Sequence, residues 1–339
     1  MQPTIREVAR LARTSVSTVS RVLTRNGPVA ETTRTRVLEA IEALGYQPNS
    51  VARGLVQKRT HTIGVVIPDV ANPFYGEVLR GMGDVASSHG FHLLLLNADL
   101  SFMKEKECFS LLREKQVDGI VYTSGTITPE HREIFSQVAR PVMLAATYDP
   151  EISLPAVLVD SRRGASIAME HLIHQGHRRI GLITGPRTDL VAGLPRWEGY
   201  MEAAARFGVQ IPPDLIAEGD YRLESGYRAM ERFLDREQAP TGVVAASDLM
   251  AVGAMNAVLD RGLRVPDDIS VVGFDNIAMA SAVRPALTTV AQPMYDIGAG
   301  AMDRLIRSLA GEGRAEVHWI EPALLIRQST APVSGKSRT

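Results

Sequence analysis

Near residue 60 the hydrophobic pattern of this 339-residue chain changes period, and that change limits what the chain can fold into. Before it, apolar residues recur at helical spacing in three short stretches separated by turn residues. After it, short continuous apolar runs alternate with amphipathic stretches long enough to be helices. Runs near 63–67, 91–96, 119–122 and 142–145 read as buried strands, with helices near 74–89, 102–115 and 129–138. A second series follows, with strands near 179–184, 215–218, 242–246 and 269–274 and helices near 164–175, 196–207, 225–236 and 249–261. That alternation demands a parallel sheet with helices on both faces. Two such series in tandem predict two lobes with a cleft between them, behind a small all-α unit; a chain of this length exceeds one ordinary core in any case.

The small unit carries the residues of a helix-turn-helix. Thr4 with Glu7 three positions on makes a capping box for a first helix, whose stripe is Ile5, Val8, Ala9 and Ala12. Ser15 is an N-cap for a second helix, in which Val19, Val22 and Leu23 point inward and Val16, Ser17 and Arg21 remain outside. A helix of this kind enters a major groove by its N-terminal end. Ser15 then approaches phosphate, Ser17 a base edge, Val16 a thymine methyl and Arg21 guanine or phosphate. A third helix over about 31–44, with stripe Val37, Leu38, Ile41 and Leu44, closes the bundle and stops at Gly45. Asn49, after Pro48, is an N-cap for a further short helix over about 50–56, too short to be stable alone in water. A segment that orders only on DNA or a partner would couple DNA binding to the rest of the chain.

Charge supports the same division. Residues 1–60 hold ten basic and four acidic residues, and the remainder holds 27 basic and 34 acidic. A basic head on an acidic body is the footprint of a nucleic-acid arm on a regulatory core. One cysteine, Cys108, forbids an internal disulfide and fits a reducing cytoplasm. No apolar run approaches a membrane span and no signal peptide is visible, so a cytoplasmic location is expected.

The runs Thr4-Ile5-Arg6-Glu7-Val8-Ala9, Ser15-Val16-Ser17-Thr18-Val19-Ser20-Arg21-Val22 and Leu44-Gly45-Tyr46-Gln47-Pro48-Asn49-Ser50-Val51-Ala52-Arg53-Gly54-Leu55 resemble the lactose-repressor (LacI/GalR) family. The resemblance continues through 62–68, 176–181, 264–276 and 286–290, nearly the whole chain. It implies a homodimer on a pseudo-palindromic operator, with Val16, Ser17 and Arg21 at the base-reading positions and Leu55 as a minor-groove wedge. The expected DNA contacts are thus Thr4, Ser15, Val16, Ser17, Thr18 and Arg21 on the headpiece and Asn49, Ala52 and Leu55 on the hinge. The implied body is a two-lobed α/β effector domain of the periplasmic-binding-protein (type I) kind, crossed three times, near 160, 290 and 321. The division expected is a headpiece at 1–46, a hinge at 47–60, a body at 61–330 and a tail at 331–339. The N-lobe takes about 61–160 and 292–320, the C-lobe about 161–290 and 322–330. Arg13 departs from the family, which places Gly or Asn in that turn; a positive φ there costs roughly 1 kcal/mol. Ala30 stands where a Ser often caps the third helix.

Ligands of open α/β sheets sit at the carboxyl ends of strands. Asn72, Phe74, Asp160, Ser247, Asp248 and Asp275 follow expected strand ends, Arg196 opens a helix and Tyr221 follows Gly219-Asp220. The resemblance places Phe74, Arg196, Tyr221 and Asp275 against an effector, with a sugar or sugar derivative expected and a purine or another small polar ligand as the alternative. Arg196 and Asp275 are suited to hydroxyls and an aromatic face to a sugar ring. Asn72, Asp160 and Ser247 complete the expected set. The bland alternatives are a core Phe74, a purely structural Asp160 at a crossover and an Asp248 that caps the next helix. Ala146 and Ser247 stand where relatives often carry Asp and Asn, which removes two hydroxyl-gripping groups.

His171, His174 and His177 do not make a metal set, because the third falls beyond Gly176 and no Cys or Asp completes a tetrahedron. Gly81-Met82-Gly83 lies inside a helix, not after a strand, so it is no dinucleotide loop. No cofactor, metal or catalytic constellation is expected. A ligand-controlled repressor of a carbohydrate operon is expected over a secreted binding protein or an enzyme. Ordering of the hinge would link effector to operator.

Overall fold

The computed structural model describes residues 3–24, 27–46 and 59–333. The hinge contacts expected at Asn49, Ala52 and Leu55, and the end of the tail at 334–339, lie outside the described residues. The chain divides after His61 into two units, each described by itself.

Among its described residues the first unit has three helices: α1 (Ile5–Leu11), α2 (Val16–Thr24) and α3 (Glu31–Leu44). The capping box forms as the residues dictate: Thr4 N donates to Glu7 Oε2 at 2.7 Å and Glu7 N to Thr4 Oγ1 at 3.4 Å. Ser15 Oγ accepts from Thr18 N at 3.1 Å, which starts α2. Arg13 takes φ +50°, the left-handed conformation the turn requires. Gly45, at φ +58°, ends α3, and Ala30 offers no side-chain cap. Val8, Ala9, Ala12, Val19, Val22, Val37 and Ala40 form the core, with Ile5, Leu23, Ile41 and Leu44 packed against it. Leu38 corrects the expected stripe: it is 52% exposed. Ala40, three residues after Val37, holds the inward position, and Leu38 lies a further 100° around the helix.

The second unit holds two sheets. The first series is β1 (Thr62–Ile67), α4 (Pro73–Ser88), β2 (His92–Asn97), α5 (Phe102–Glu114), β3 (Gly119–Tyr122), α6 (Pro129–Gln137), β4 (Val142–Ala145) and β5 (Ala156–Val159). The second is α7 (Ser161–His174), β6 (Ile180–Thr184), α8 (Gly193–Arg206), β7 (Ile216–Glu218), α9 (Leu223–Leu234), β8 (Gly242–Ala245), α10 (Asp248–Asp260), β9 (Ser270–Asp275), α11 (Ala278–Ala282) and β10 (Thr288–Ala291). The chain ends with α12 (Met294–Leu309), β11 (Val317–Ile320) and β12 (Ala323–Leu325). The strand orders are β11-β5-β4-β3-β1-β2 and β12-β10-β9-β8-β6-β7. Among the described strands, β12 alone runs antiparallel to its neighbour.

Strands buried on both faces explain the unbroken apolar runs, such as Ile63–Ile67 in β1. The path crosses between sheets at Asp160, again after β10 and again after β11. Helix α12 returns to the first sheet and packs along α4. The two helices touch by backbone. A Cβ on Gly298 would lie 1.9 Å from Val78 O, and one on Gly81 would lie 2.1 Å from Tyr295 O. Gly81, inside a helix as its position indicated, therefore serves packing. The three histidines have structural partners: His177 contacts Thr241 Oγ1 at 3.0 Å and Ala331 O at 3.1 Å, His171 contacts Thr330 Oγ1 at 2.9 Å, and His174 meets Phe207 edge-on at 5.1 Å. No described helix is long and apolar enough to cross a membrane.

Candidate functional site

On the headpiece, the outward side of α2 presents Val16, 42% exposed, with Ser17 and Arg21 also exposed. Ser15 Oγ lies 2.8 Å from both Ser17 Oγ and Thr18 Oγ1. This hydroxyl cluster at the helix start holds the short side chains in place. Thr4 is exposed at the start of α1.

In the second unit a cavity of about 90 Å³ lies between the two lobes. One rule builds much of its wall: many of its residues stand at or just past the carboxyl end of a strand. Thr123 follows β3, Ala146 β4, Ser161 β5, Tyr221 β7, Ser247 β8 and Gln292 β10, while Asp275 ends β9. Asn72, Phe74 and Tyr75 come from the start of α4, and Asp189, Val191 and Arg196 from the loop after β6 and the first turn of α8. Ala146, Tyr221 and Asp275 are held at φ +53°, +65° and +122°. Non-glycine residues in such conformations are strained, and strain of this kind gathers at ligand sites.

Arg196 is the cavity's buried cation, 5% exposed. Its Nη1 donates to Ala246 O at 2.5 Å and stands 3.8 Å from Asp275 Oδ1. The guanidinium lies over the Phe274 ring, 3.8 Å from its centroid. Its Nε–H is buried with no partner, a donor that a ligand oxygen would satisfy. Asp275 accepts from Gln292 Nε2 at 2.7 Å. Burial pushes the Asp275 carboxyl up, against the opposing pull of Arg196 and Gln292. Tyr221 Oη donates to Asp189 Oδ2 at 2.7 Å. Gly185 makes room for that ring, since a Cβ there would lie 2.2 Å from the Tyr221 hydroxyl. The phenols of Tyr75 and Tyr221 are pushed well up, first by burial and then by the Asp189 charge.

The loop carrying Thr123 and Gly125 is braced from behind. Ser124 Oγ donates to Glu105 Oε1 at 2.5 Å, and the buried Glu105 also pairs with His131 Nε2. Two ties join the lobes near the cavity. Arg222 Nη2 donates to Asp69 Oδ2 at 3.1 Å. Thr126 Oγ1 donates to Thr188 O at 2.8 Å and accepts from Leu190 N at 3.2 Å.

Of the residues expected from sequence, Asn72, Phe74, Arg196, Tyr221, Ser247 and Asp275 come together in this wall. Phe74 is also 7% exposed core, so both readings of it hold. Asp160 does not line the cavity. It caps α7, accepting from Arg163 N at 2.8 Å, and borders a separate crevice. Asp248 is not the cap of α10: Ser247 is, accepting from Met250 N at 3.2 Å. Asp248 instead accepts from Ile277 N at 2.8 Å and Thr289 Oγ1 at 2.5 Å, fixing the turn beyond Asp275. Tyr75, Thr123, Asp189 and Gln292 were missed. The strand-end rule applied after β3 and β6 finds Thr123 and Asp189. Gln292 required recognition of β10.

Comparison with known proteins agrees with this geometry. Residues 4–49 match the model for bacterial regulatory proteins of the lacI family, and residues 169–330 match a periplasmic binding protein-like domain. The chain is 42% identical to catabolite control protein A of Priestia megaterium, over 92% of this chain and 94% of that one. It is similar to the lac repressor dimer bound to operator and the anti-inducer ONPF, with TM-score 0.89, 28% identity and coverage of 98% and 100%. It is also similar to a transcriptional regulator CelR–cellobiose complex, with TM-score 0.74, 33% identity and coverage of 96% and 99%.

Proposed function

We propose that this chain, which belongs to the LacI family of bacterial regulatory proteins, is a sequence-specific repressor of carbohydrate genes whose operator affinity is set by a small polyhydroxylated effector held between its lobes. The observation that carries the reading is the cavity itself: side chains from both lobes converge on it, and the buried Arg196 Nε there lacks an acceptor. Sugar hydroxyls suit such a wall, because they donate to carboxylates and accept from guanidinium. The lac repressor and cellobiose complexes lend support by analogy.

The DNA-reading set is Val16, Ser17 and Arg21, steadied by Ser15 and Thr18, with Thr4 at the start of α1 near phosphate. Asn49, Ala52 and Leu55 act in the hinge, where Leu55 wedges the minor groove. Two copies of the chain bind a pseudo-palindromic operator and pair through the body. Leu95 on the edge strand β2, with Leu100 and Met103, offers exposed apolar surface for that pairing. The protein acts in the cytoplasm as a binding module and not as an enzyme.

Control is a population shift. An effector that binds two lobe arrangements with different affinity moves the equilibrium between them, and the hinge follows. Differential scanning fluorimetry of the full-length protein against sugars, sugar acids, sugar phosphates and nucleobases tests the site. A ligand at a hundred times its Kd stabilises the folded state by about 2.7 kcal/mol. A sugar should raise Tm in the wild type and not in Arg196→Ala. An undiminished shift in that variant would remove the cavity from effector binding.

A further inference from the structure

We propose that Asp189 makes the interlobe cavity select an uncharged polyhydroxylated ligand and reject its phosphorylated or carboxylated forms. This rests on the reading of the cavity as the effector site and adds the ligand's charge. Two carboxylates, Asp189 and Asp275, and one cation, Arg196, line the cavity; no Lys or His does among the described residues. Arg196 is already committed, to Ala246 O, to Asp275 and to the Phe274 ring. Only its Nε–H stands open, so the cavity offers an incoming anion one donor, on a cation that already faces Asp275.

Asp189 is fixed where it stands. Its Oδ1 accepts from Val191 N at 2.9 Å and from Ala192 N at 3.0 Å, and its Oδ2 takes the Tyr221 hydroxyl. These three donors are neutral, so the carboxylate is held without being neutralised. The arginines adjacent to these residues in sequence are taken elsewhere: Arg187 stands 4.0 Å from Glu218, and Arg222 pairs with Asp69 at 3.1 Å. The Tyr75 phenol is pushed up first by burial and then by the Asp189 and Asp275 charges, against the pull of Arg196. A phosphate monoester carries about −1.5 to −2 charges at pH 7. Against a fixed carboxylate it meets like-charge repulsion, whereas a hydroxyl donates to the same oxygen.

Isothermal titration calorimetry of the full-length protein with matched pairs tests this. The pairs are glucose and glucose 6-phosphate, fructose and fructose 6-phosphate, adenosine and AMP, and cytidine and CMP. The expected result is that a neutral member binds and its phosphate binds at least about 100-fold more weakly. Asp189→Asn keeps an acceptor for Val191 and Ala192 but removes the charge. It should narrow that ratio about tenfold while the neutral member still binds. If Asp189 only braces its loop, the variant weakens both members equally, and an unchanged ratio overturns its role. A phosphate that binds as tightly as its neutral partner, with the heat lost in Arg196→Ala, overturns charge selection and leaves the cavity as the effector site. No binding by any pair, or heat undiminished in Arg196→Ala, overturns the effector-site reading and the inference with it.

Discussion

Asp248 and Asp275 put two carboxylates in one buried patch where β9 meets the cavity, and their charges act on each other. Burial raises both, and the charge of Asp275 raises Asp248 further. Arg196 opposes the shift at Asp275. A carboxyl raised in the folded state keeps its proton where the unfolded chain, titrating near 3.9, has released it. Its contribution to stability is therefore complete below about pH 4 and is lost as pH rises through the raised value. Asp248→Asn should remove part of this dependence. Urea unfolding across pH 4–8 should show wild-type stability falling relative to the variant as pH rises, by up to about 1.4 kcal/mol per pH unit in the titrating range. A constant difference across that range would show that Asp248 titrates as it does unfolded. Single residues were legible where one local rule governs them: the Thr4–Glu7 box and the Ser15 cap are set within four positions in sequence. Asp248 was not, because its partners Ile277 and Thr289 lie 29 and 41 residues away.

Between elements, the turn from α1 to α2 is the clearest local conflict. Arg13 occupies the left-handed region at φ +50°, where glycine is free of the Cβ penalty. Arg13→Gly should stabilise the headpiece by about 1 kcal/mol, seen as roughly fivefold slower exchange of α1 and α2 amides in the full-length protein. Unchanged or faster exchange would mean that the arginine side chain returns more than the strain removes. Most helices and six buried strands could be read from periodicity alone. The elements left out are β5, α11, β10, α12, β11 and β12, most of them in the parts of the chain around the crossings. Three of the strands are four residues long and β12 only three; the outer pair, β11 and β12, is only partly buried, and His318 interrupts the apolar run of β11. Helix α12 is masked by Gly298 and Gly300, which read as helix breakers. Gly298 is required by contact with Val78 O, a tertiary cause that no local propensity reveals.

At the scale of the whole second unit, two lobes followed from the doubled α/β pattern, but where the chain crosses between them came from resemblance. What neither supplied is the narrowness of the cleft. The cavity, about 90 Å³, is smaller than the roughly 300 Å³ at the low end of small-molecule sites. The Asp69–Arg222 pair and the Thr126 bonds to the 188–190 loop hold it so. A ligand that enters must exchange these ties for its own contacts, which gives the two arrangements different affinities for it, as a population shift requires. The central claim, that the cavity governs operator binding, is tested most directly by fluorescence anisotropy. An operator selected from random DNA is titrated with the full-length protein, with and without the sugar that binds it, for wild type and Asp275→Asn. The account predicts that the sugar changes the wild-type operator Kd by about 5- to 150-fold, the usual range of allosteric coupling. It also predicts that Asp275→Asn binds the operator as wild type does without sugar and loses most of the response. An equal response in the variant, or a bound sugar that leaves wild-type operator affinity unchanged, would contradict it.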